Sequence, residues 1–239
     1  MVNIHKWFGK VYALRGVDFK VYPAEVVGLV GDNGAGKSTL IKILSGVYPP
    51  DRGEILFEGK SAGIYSPKVA MRLGIETMHQ DQTLIPSLTI ARNMFLGREL
   101  GGRLLDMKKM NSDSLKAMRE LGLIIADPEV AVEALSGGER QGVALSRALY
   151  FKTKLIILDE PTNNLSVKET AKVLDIIRNL RETGVTSIFI THNIHHVYPI
   201  SDRIVILSHG RKICEFKKEK TSIEEITECI ISDRSMYRE

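Results

Sequence analysis

Gly31-Asp-Asn-Gly-Ala-Gly-Lys-Ser-Thr39 decides the reading of this chain. Its spacing, G-x-x-x-x-G-K-[ST], is that of a phosphate-binding loop, a motif that carries meaning only between a strand and a helix. Both neighbours are present. Val26-Val-Gly-Leu-Val30 is strand-like, and residues 37–45 have a helical pattern. Gly31, Gly34 and Gly36, with Asn33 and Ala35 between them, let the backbone curl until several N–H groups point at one spot. The helix N-terminus, opening at Lys37, Ser38 and Thr39, adds about half a positive charge there. Lys37 would reach the β- and γ-phosphates of a nucleotide, and the Ser38 hydroxyl would bind Mg²⁺. A tight glycine turn without a ligand gives no reason for Lys and Ser to follow it.

The rest of the chain sets bounds. Its 239 residues suffice for one large α/β domain or two small ones. Apolar residues make up 44% and charged residues 26%, enough for an ordinary globular core. The net charge of +4 is dispersed with no Lys/Arg block, which favours a plain solvated surface over a nucleic-acid interface. Cys214 and Cys229 form no C-x-x-C pair and sit beside no histidine cluster, so a reduced cytoplasmic protein is expected. The N-terminal Met-Val-Asn-Ile-His-Lys lacks a signal-like apolar region. No apolar run approaches the ~18 residues that span a bilayer, so a membrane role would come through a partner.

Residues 2–30 alternate like strands, with a turn at Tyr22-Pro-Ala-Glu25. A helix stops at Gly46, Pro49-Pro-Asp-Arg-Gly53 turns, and 54–57 reads as one short strand. Residues 66–73 look helical and 75–79 extended. The texture then changes. Met107, Met110, Met118 and Leu121 mark an amphipathic helix, and 80–133 reads as a helical insertion. Strands at 155–158, 186–190 and 204–207 alternate with a helix at 167–182, and Ser222-x-x-Glu225 opens a last helix with a capping box. This alternation predicts an α/β fold with a largely parallel sheet covered on both faces.

Leu155-Ile-Ile-Leu-Asp-Glu160 is an apolar strand ending in two carboxylates. Beside a phosphate loop, Asp159 suits the Mg²⁺ shell, and Glu160 can polarise a water in line with the γ-phosphate. Without the loop the same residues would read as an acidic strand end facing solvent.

Leu135-Ser-Gly-Gly-Glu-Arg-Gln141 then points to a family. With the motifs above it closely resembles the signature of ABC-type ATPases, and the resemblance extends over essentially the whole chain. It implies a P-loop ATPase with a mostly parallel core, a small antiparallel β region and a helical subdomain. The catalytic core would comprise residues 1–79 and 134–239, and the helical subdomain 80–133. In that family the signature is a second helix N-terminus, aimed at ATP held by another copy of the domain. Ser136, Gly137 and Gly138 would make those contacts. Glu139 stands where glutamine is usual; it suits a capping box with Ser136, at the cost of a negative charge near bound polyphosphate.

By the same resemblance Phe8 would stack on adenine, its alternative being a core position in the first strand. Gln80 would join the Mg²⁺ shell and couple it to the insertion, and His192 would contact the γ-phosphate. A metal site from His192 and His195 lacks a clear third ligand. Asn163-Asn-Leu-Ser166 occupies the D-loop, where Ser166 replaces the family's usual aspartate.

The resemblance implies an ATP- and Mg²⁺-dependent ATPase working as a head-to-tail pair. A single ATPase domain, the absence of a long coiled coil and the size of the insertion favour a transport subunit over a mechanoenzyme acting on DNA or ribosomes. Leu84, Ile85, Leu88 and Met94 would either line the groove for a permease helix or belong to the core. Two stretches, 31–48 and 79–89, resemble the ATPases of simple-sugar importers, the ribose, xylose and fructose type. The implied partners are a second ATPase domain, integral membrane permease subunits and, indirectly, a periplasmic or extracellular sugar-binding protein, with no nucleic acid. The implied location is the cytoplasmic face of the membrane. Another small solute, or one half of a longer two-domain design, remains open on sequence.

Overall fold

A computed structural model describes residues 1–78 and 84–236, and Gln80 lies outside them. The chain opens with β1 (Val2–Phe8) and β2 (Val11–Val17), then β3 (Val26–Val30) running into α1 (Lys37–Leu44). β4 (Arg52–Glu54) returns to pair with β1 and completes an antiparallel sheet ordered β2-β1-β4. A small hairpin, β5 (Leu56–Phe57) and β6 (Lys60–Ser61), precedes α2 (Pro67–Arg72) and β7 (Ile75–Met78). The insertion holds α3 (Ile90–Phe95) and α4 (Met107–Glu120). Then follow α5 (Gly137–Tyr150), β8 (Leu155–Asp159), α6 (Val167–Glu182) and β9 (Thr186–Thr191). α7 (Ile194–Val197), β10 (Arg203–Ser208), β11 (Arg211–Lys217) and α8 (Ile223–Met236) close the described chain.

The central sheet is ordered β11-β10-β3-β9-β8-β7, and every pairing in it is parallel except that of β10 with β11. Its inner strands β3, β8, β9 and β10 are buried on both faces because both faces are covered. Alternate residues enter two separate cores, as the period of a strand requires. Val27, Leu29, Ile157, Ile188, Ile190 and Val205 join Leu40 and Ile41 of α1 and the β1–β2 hairpin. Val26, Val30, Ile156, Phe189, Ile204 and Ile206 join α3–α6 on the opposite side. Each such aliphatic side chain, fully buried, stabilises the fold by roughly 1.5–3 kcal/mol.

Ile90, Met94, Phe95, Met110 and Met118 of the insertion belong to that second core, together with Val143 and Leu145 of α5. Of the four apolar residues left between groove and core, Leu84 and Met94 are buried, Ile85 is exposed and Leu88 is half-buried. Leu84 also lines a cavity of about 290 Å³ with Met78, Glu76 and Arg147.

Two sequence readings need correction, and one strand is added to them. The single strand expected at 54–57 is two strands in different sheets, because Ile55 turns into the core between them. After His209-Gly210 a strand not expected from the sequence, β11, hairpins back on β10. Cys214 and Cys229, read as thiols of a reduced protein, form a disulfide. The pairing was hidden because it joins β11 to α8, elements that meet only on folding, with a Cα–Cα separation of 6.8 Å. No described helix is long and apolar enough to cross a membrane.

Candidate functional site

The phosphate loop leaves β3 between β9 and β10, and β8 lies next to β9. The C-terminal ends of these parallel strands therefore line one edge, where open α/β sheets bind ligands. The loop is wedged in place. Gly31 has φ +154°, and a Cβ there would stand 2.2 Å from the Leu207 carbonyl oxygen. Gly36 has φ +102°, and a Cβ there would stand 2.9 Å from the Ala13 carbonyl oxygen. The Gly210 N–H donates to the Ala35 carbonyl at 3.0 Å, which ties the β10–β11 turn to the loop. Asn33 and Gly34 form the exposed tip, Ser38 is exposed on the first turn of α1, and Thr39 is half-buried.

Lys37 is buried, and its Nζ donates to the carbonyls of Gly31 at 2.6 Å and Asp32 at 2.9 Å. Burial lowers its pKa, and the carboxylates of Glu160, Asp32 and Asp159 oppose that shift. The two motifs that the sequence sets more than a hundred residues apart thus share one electrostatic site.

Asp159 ends β8 and Glu160 follows it in a left-handed backbone conformation, φ 49°. A non-glycine residue there costs about 1 kcal/mol, a strain typical of functional positions. The turn is held by the Glu160 N–H donating to the Ile190 carbonyl at 3.0 Å. It aims the carboxylate at the end of β9. Glu160 Oε1 accepts from the His192 backbone N–H at 3.1 Å and lies 2.8 Å from His192 Nδ1. Glu160 Oε2 accepts from the Thr191 hydroxyl at 3.0 Å. The Glu160 side chain is 15% exposed and that of His192 64%, so the histidine reaches outward from a fixed base. Nearby His196 has its pKa lowered by burial, and its Nδ1 lies 3.0 Å from the Thr162 hydroxyl.

Phe8 ends β1 with its ring exposed, edge-on to Tyr48 at 5.3 Å, so it is not the core residue that the alternative reading made it. Ser136, Gly137 and Gly138 open α5. Ser136 and Glu139 form the expected capping box: the Ser136 N–H donates to Glu139 Oε2 at 2.9 Å, and the Glu139 N–H to Ser136 Oγ at 3.3 Å.

Two residues went unremarked in the sequence. Glu169 caps Ser166 at the start of α6 and also accepts from the Gly138 N–H at 3.3 Å; the spacing Ser166-x-x-Glu169 was the available signal. Asn93 is buried in α3. Its Oδ1 accepts from the Ile85 N–H at 2.7 Å, and its Nδ2 donates to the carbonyls of Ile85, Leu88 and Thr89 at 2.9–3.2 Å. No local pattern announces that role.

Comparison with known proteins agrees with this geometry. The family model described as ABC transporter matches residues 14–163. The chain is 51% identical to a xylose/arabinose import ATP-binding protein of Sulfolobus acidocaldarius, over 96% of this chain and 92% of that one. It is 46% identical to a fructose import ATP-binding protein of Rhizobium meliloti, over 87% of this chain and 84% of that one. A dimeric structure of a bacterial ABC transporter cassette superimposes with a TM-score of 0.75 at 26% identity, covering 91% of this chain and 97% of that one. A strand-held phosphate loop, a carboxylate pair on the next strand but one and a second helix N-terminus at Ser136 thus coincide with the matched family, and the chain belongs to the ABC transporter family of ATP-binding cassettes.

Proposed function

We propose that this chain is the ATP-hydrolysing subunit of an importer for a simple sugar, a pentose or hexose, acting on integral membrane permease subunits from the cytoplasmic face. The sugar class rests on the two import relatives. The hydrolytic reading rests on one observation, the convergence of Lys37, Glu160 and His192 at the C-terminal edge of the sheet. An extracellular or periplasmic sugar-binding protein would supply the cargo to the permease.

Phe8, exposed at the end of β1 with the Lys6 ammonium 5.5 Å from its ring centre, offers its ring to adenine. The backbone amides from Asn33 to Thr39 and the Lys37 ammonium hold the phosphates. The Ser38 hydroxyl and Asp159 carboxylate are hard oxygen donors, the chemistry Mg²⁺ takes when most of its shell is water and phosphate. Gln80 is the further donor by resemblance. When bound, Mg²⁺ would spread the negative charge of the β- and γ-oxygens. Glu160 orients the attacking water and draws on its proton, while His192, steadied by Glu160, faces the γ-phosphoryl group. Water oxygen bonds to the γ-phosphorus as the bond to the β–γ bridging oxygen breaks, giving ADP and phosphate. The domain division is residues 1–79 with 134–239 for catalysis, and 80–133 as the helical arm toward the permease.

Ser136, Gly137 and Gly138 complete the ATP site of a second copy, so ATP joins two domains head to tail. The test is the solution mass of Glu160→Gln with and without excess ATP. A doubling on ATP, abolished by adding Lys37→Ala, supports the reading. A mass of one copy with ATP bound would overturn the homodimer. Uptake of labelled xylose, ribose and fructose by vesicles carrying the permease then tests the cargo class, and uptake of none of them would overturn it.

A further inference from the structure

The N-terminus of α5 is already engaged within its own chain. The Glu139 N–H is taken by Ser136 Oγ, and the Gly138 N–H by Glu169 Oε1 at 3.3 Å. Glu169 also accepts from the Ser166 N–H at 3.0 Å and from the Ser166 hydroxyl at 2.7 Å through its other oxygen. One carboxylate therefore bridges the first turn of α5 and the first turn of α6. The glycines make room for it. A Cβ on Gly137 would stand 2.7 Å from Leu165 Cδ2 and 3.2 Å from Glu169 Oε1. A Cβ on Gly138 would stand 3.3 Å from Glu169 Cβ and Cγ. These hydrogen bonds hold the carboxyl pKa down to about 2, so it is ionised at any working pH.

We propose that Glu169 is a positioning residue that occupies the signature amides in the separated domain and is displaced by the γ-phosphate brought by a second copy. This rests on the reading of Ser136–Gly138 as half of a shared ATP site. A carboxylate and a phosphate compete for the same N–H groups and cannot both sit there without like-charge repulsion. Displacement frees the second half of the bridge, the grip on Ser166. Arrival of ATP at one signature is thereby reported within the same chain to the D-loop. Ser166 ends that loop, and Glu169 supplies a carboxylate to it from the first turn of α6.

Two variants separate charge from shape, both in a Glu160→Gln background. Glu169→Gln keeps an acceptor at the same reach and removes the charge. Glu169→Asp keeps the charge at the start of α6 but, one methylene shorter, gives up Gly138. Sedimentation against ATP concentration gives the dimer dissociation constant, and a fluorescent ATP analogue at low protein concentration gives the single-copy affinity. Both variants should tighten the dimer by about 4- to 25-fold, from roughly 2- to 5-fold at each of two equivalent sites. Single-copy ATP affinity should not move, which a general loosening of α6 would not reproduce. If the parent dimerises and neither variant tightens it, this proposal falls alone. If the parent stays a single copy with ATP bound, the shared-site reading falls and takes this proposal with it.

Discussion

Replacing Glu160 by glutamine tests the site at its centre. Oε1 faces two donors of His192, the backbone N–H at 3.1 Å and Nδ1 at 2.8 Å. An amide nitrogen turned that way would meet the backbone donor, so the glutamine must keep its oxygen toward His192. Its NH₂ then faces the Thr191 hydroxyl, whose oxygen already accepts from the Asn193 N–H at 3.0 Å. One charge-assisted hydrogen bond is lost and the rest of the frame stays, a cost of about 1–2 kcal/mol. For a chain of this size that lowers Tm by about 3–6 °C. The rate should suffer far more. A positioned base typically contributes at least about 100-fold, or ~2.7 kcal/mol of barrier. ATP affinity should hold or rise, because Glu160 is the strongest of the carboxylates acting on Lys37 and a negative charge leaves the phosphate site. The assay is phosphate release under saturating ATP, with binding measured separately. A variant that binds ATP normally and retains more than a tenth of the parent rate would refute the assignment.

Other consequences are checkable. Glu139→Gln keeps the capping box and removes a charge, so in the Glu160→Gln background ATP-driven association should tighten by roughly 2- to 5-fold per site, with Tm lowered by about 1–4 °C as a favourable charge leaves the start of α5; equal or weaker association contradicts this. Asn93→Ala leaves the Ile85 N–H without its partner, while the carbonyls of Ile85, Leu88 and Thr89 keep backbone donors, and should cost about 1–3 kcal/mol, seen as a lower Tm and new protease cuts in the 85–89 loop. Asn93→Asp keeps the Ile85 N–H bond but turns a buried carboxylate oxygen toward three carbonyl oxygens, so at neutral pH it should be no more stable than the alanine variant. Cys229→Ser opens a loop of 15 residues and should lower stability by about 3 kcal/mol, matched by reducing agent on the parent; no shift with either would mean the staple contributes nothing.

The phosphate loop, the Asp159-Glu160 strand end and the Ser136–Glu139 cap were legible because each is local: fixed spacing, one element boundary, one chemical reason. The covered parallel sheet was legible from apolar runs alternating with helical stretches. What escaped was long-range. Cys214 and Cys229 sit on a strand and a helix that pair only in three dimensions. Asn93 looks like any polar residue in a helix until the 85–89 loop folds over it. Glu169 lay inside a readable capping pattern, yet its second bond, to Gly138, crosses 31 positions of sequence. The break at Ile55 reflects competition between two sheets for one short stretch, which a periodicity argument treats as continuous.

The alternation of residues into two cores divides the protein's mechanical parts. Ile188 and Ile190 of β9 lean on the layer that carries α1 and the phosphate loop, while Phe189 between them leans on the layer that carries α5 and its signature end. Adjacent positions of one strand therefore belong to opposite layers: the one proposed to grip the chain's own nucleotide, and the one proposed to meet a neighbour's. The sheet acts as a partition. The two layers meet no closer than through its strands, and at the strand ends Glu160, Thr191 and His192 come together.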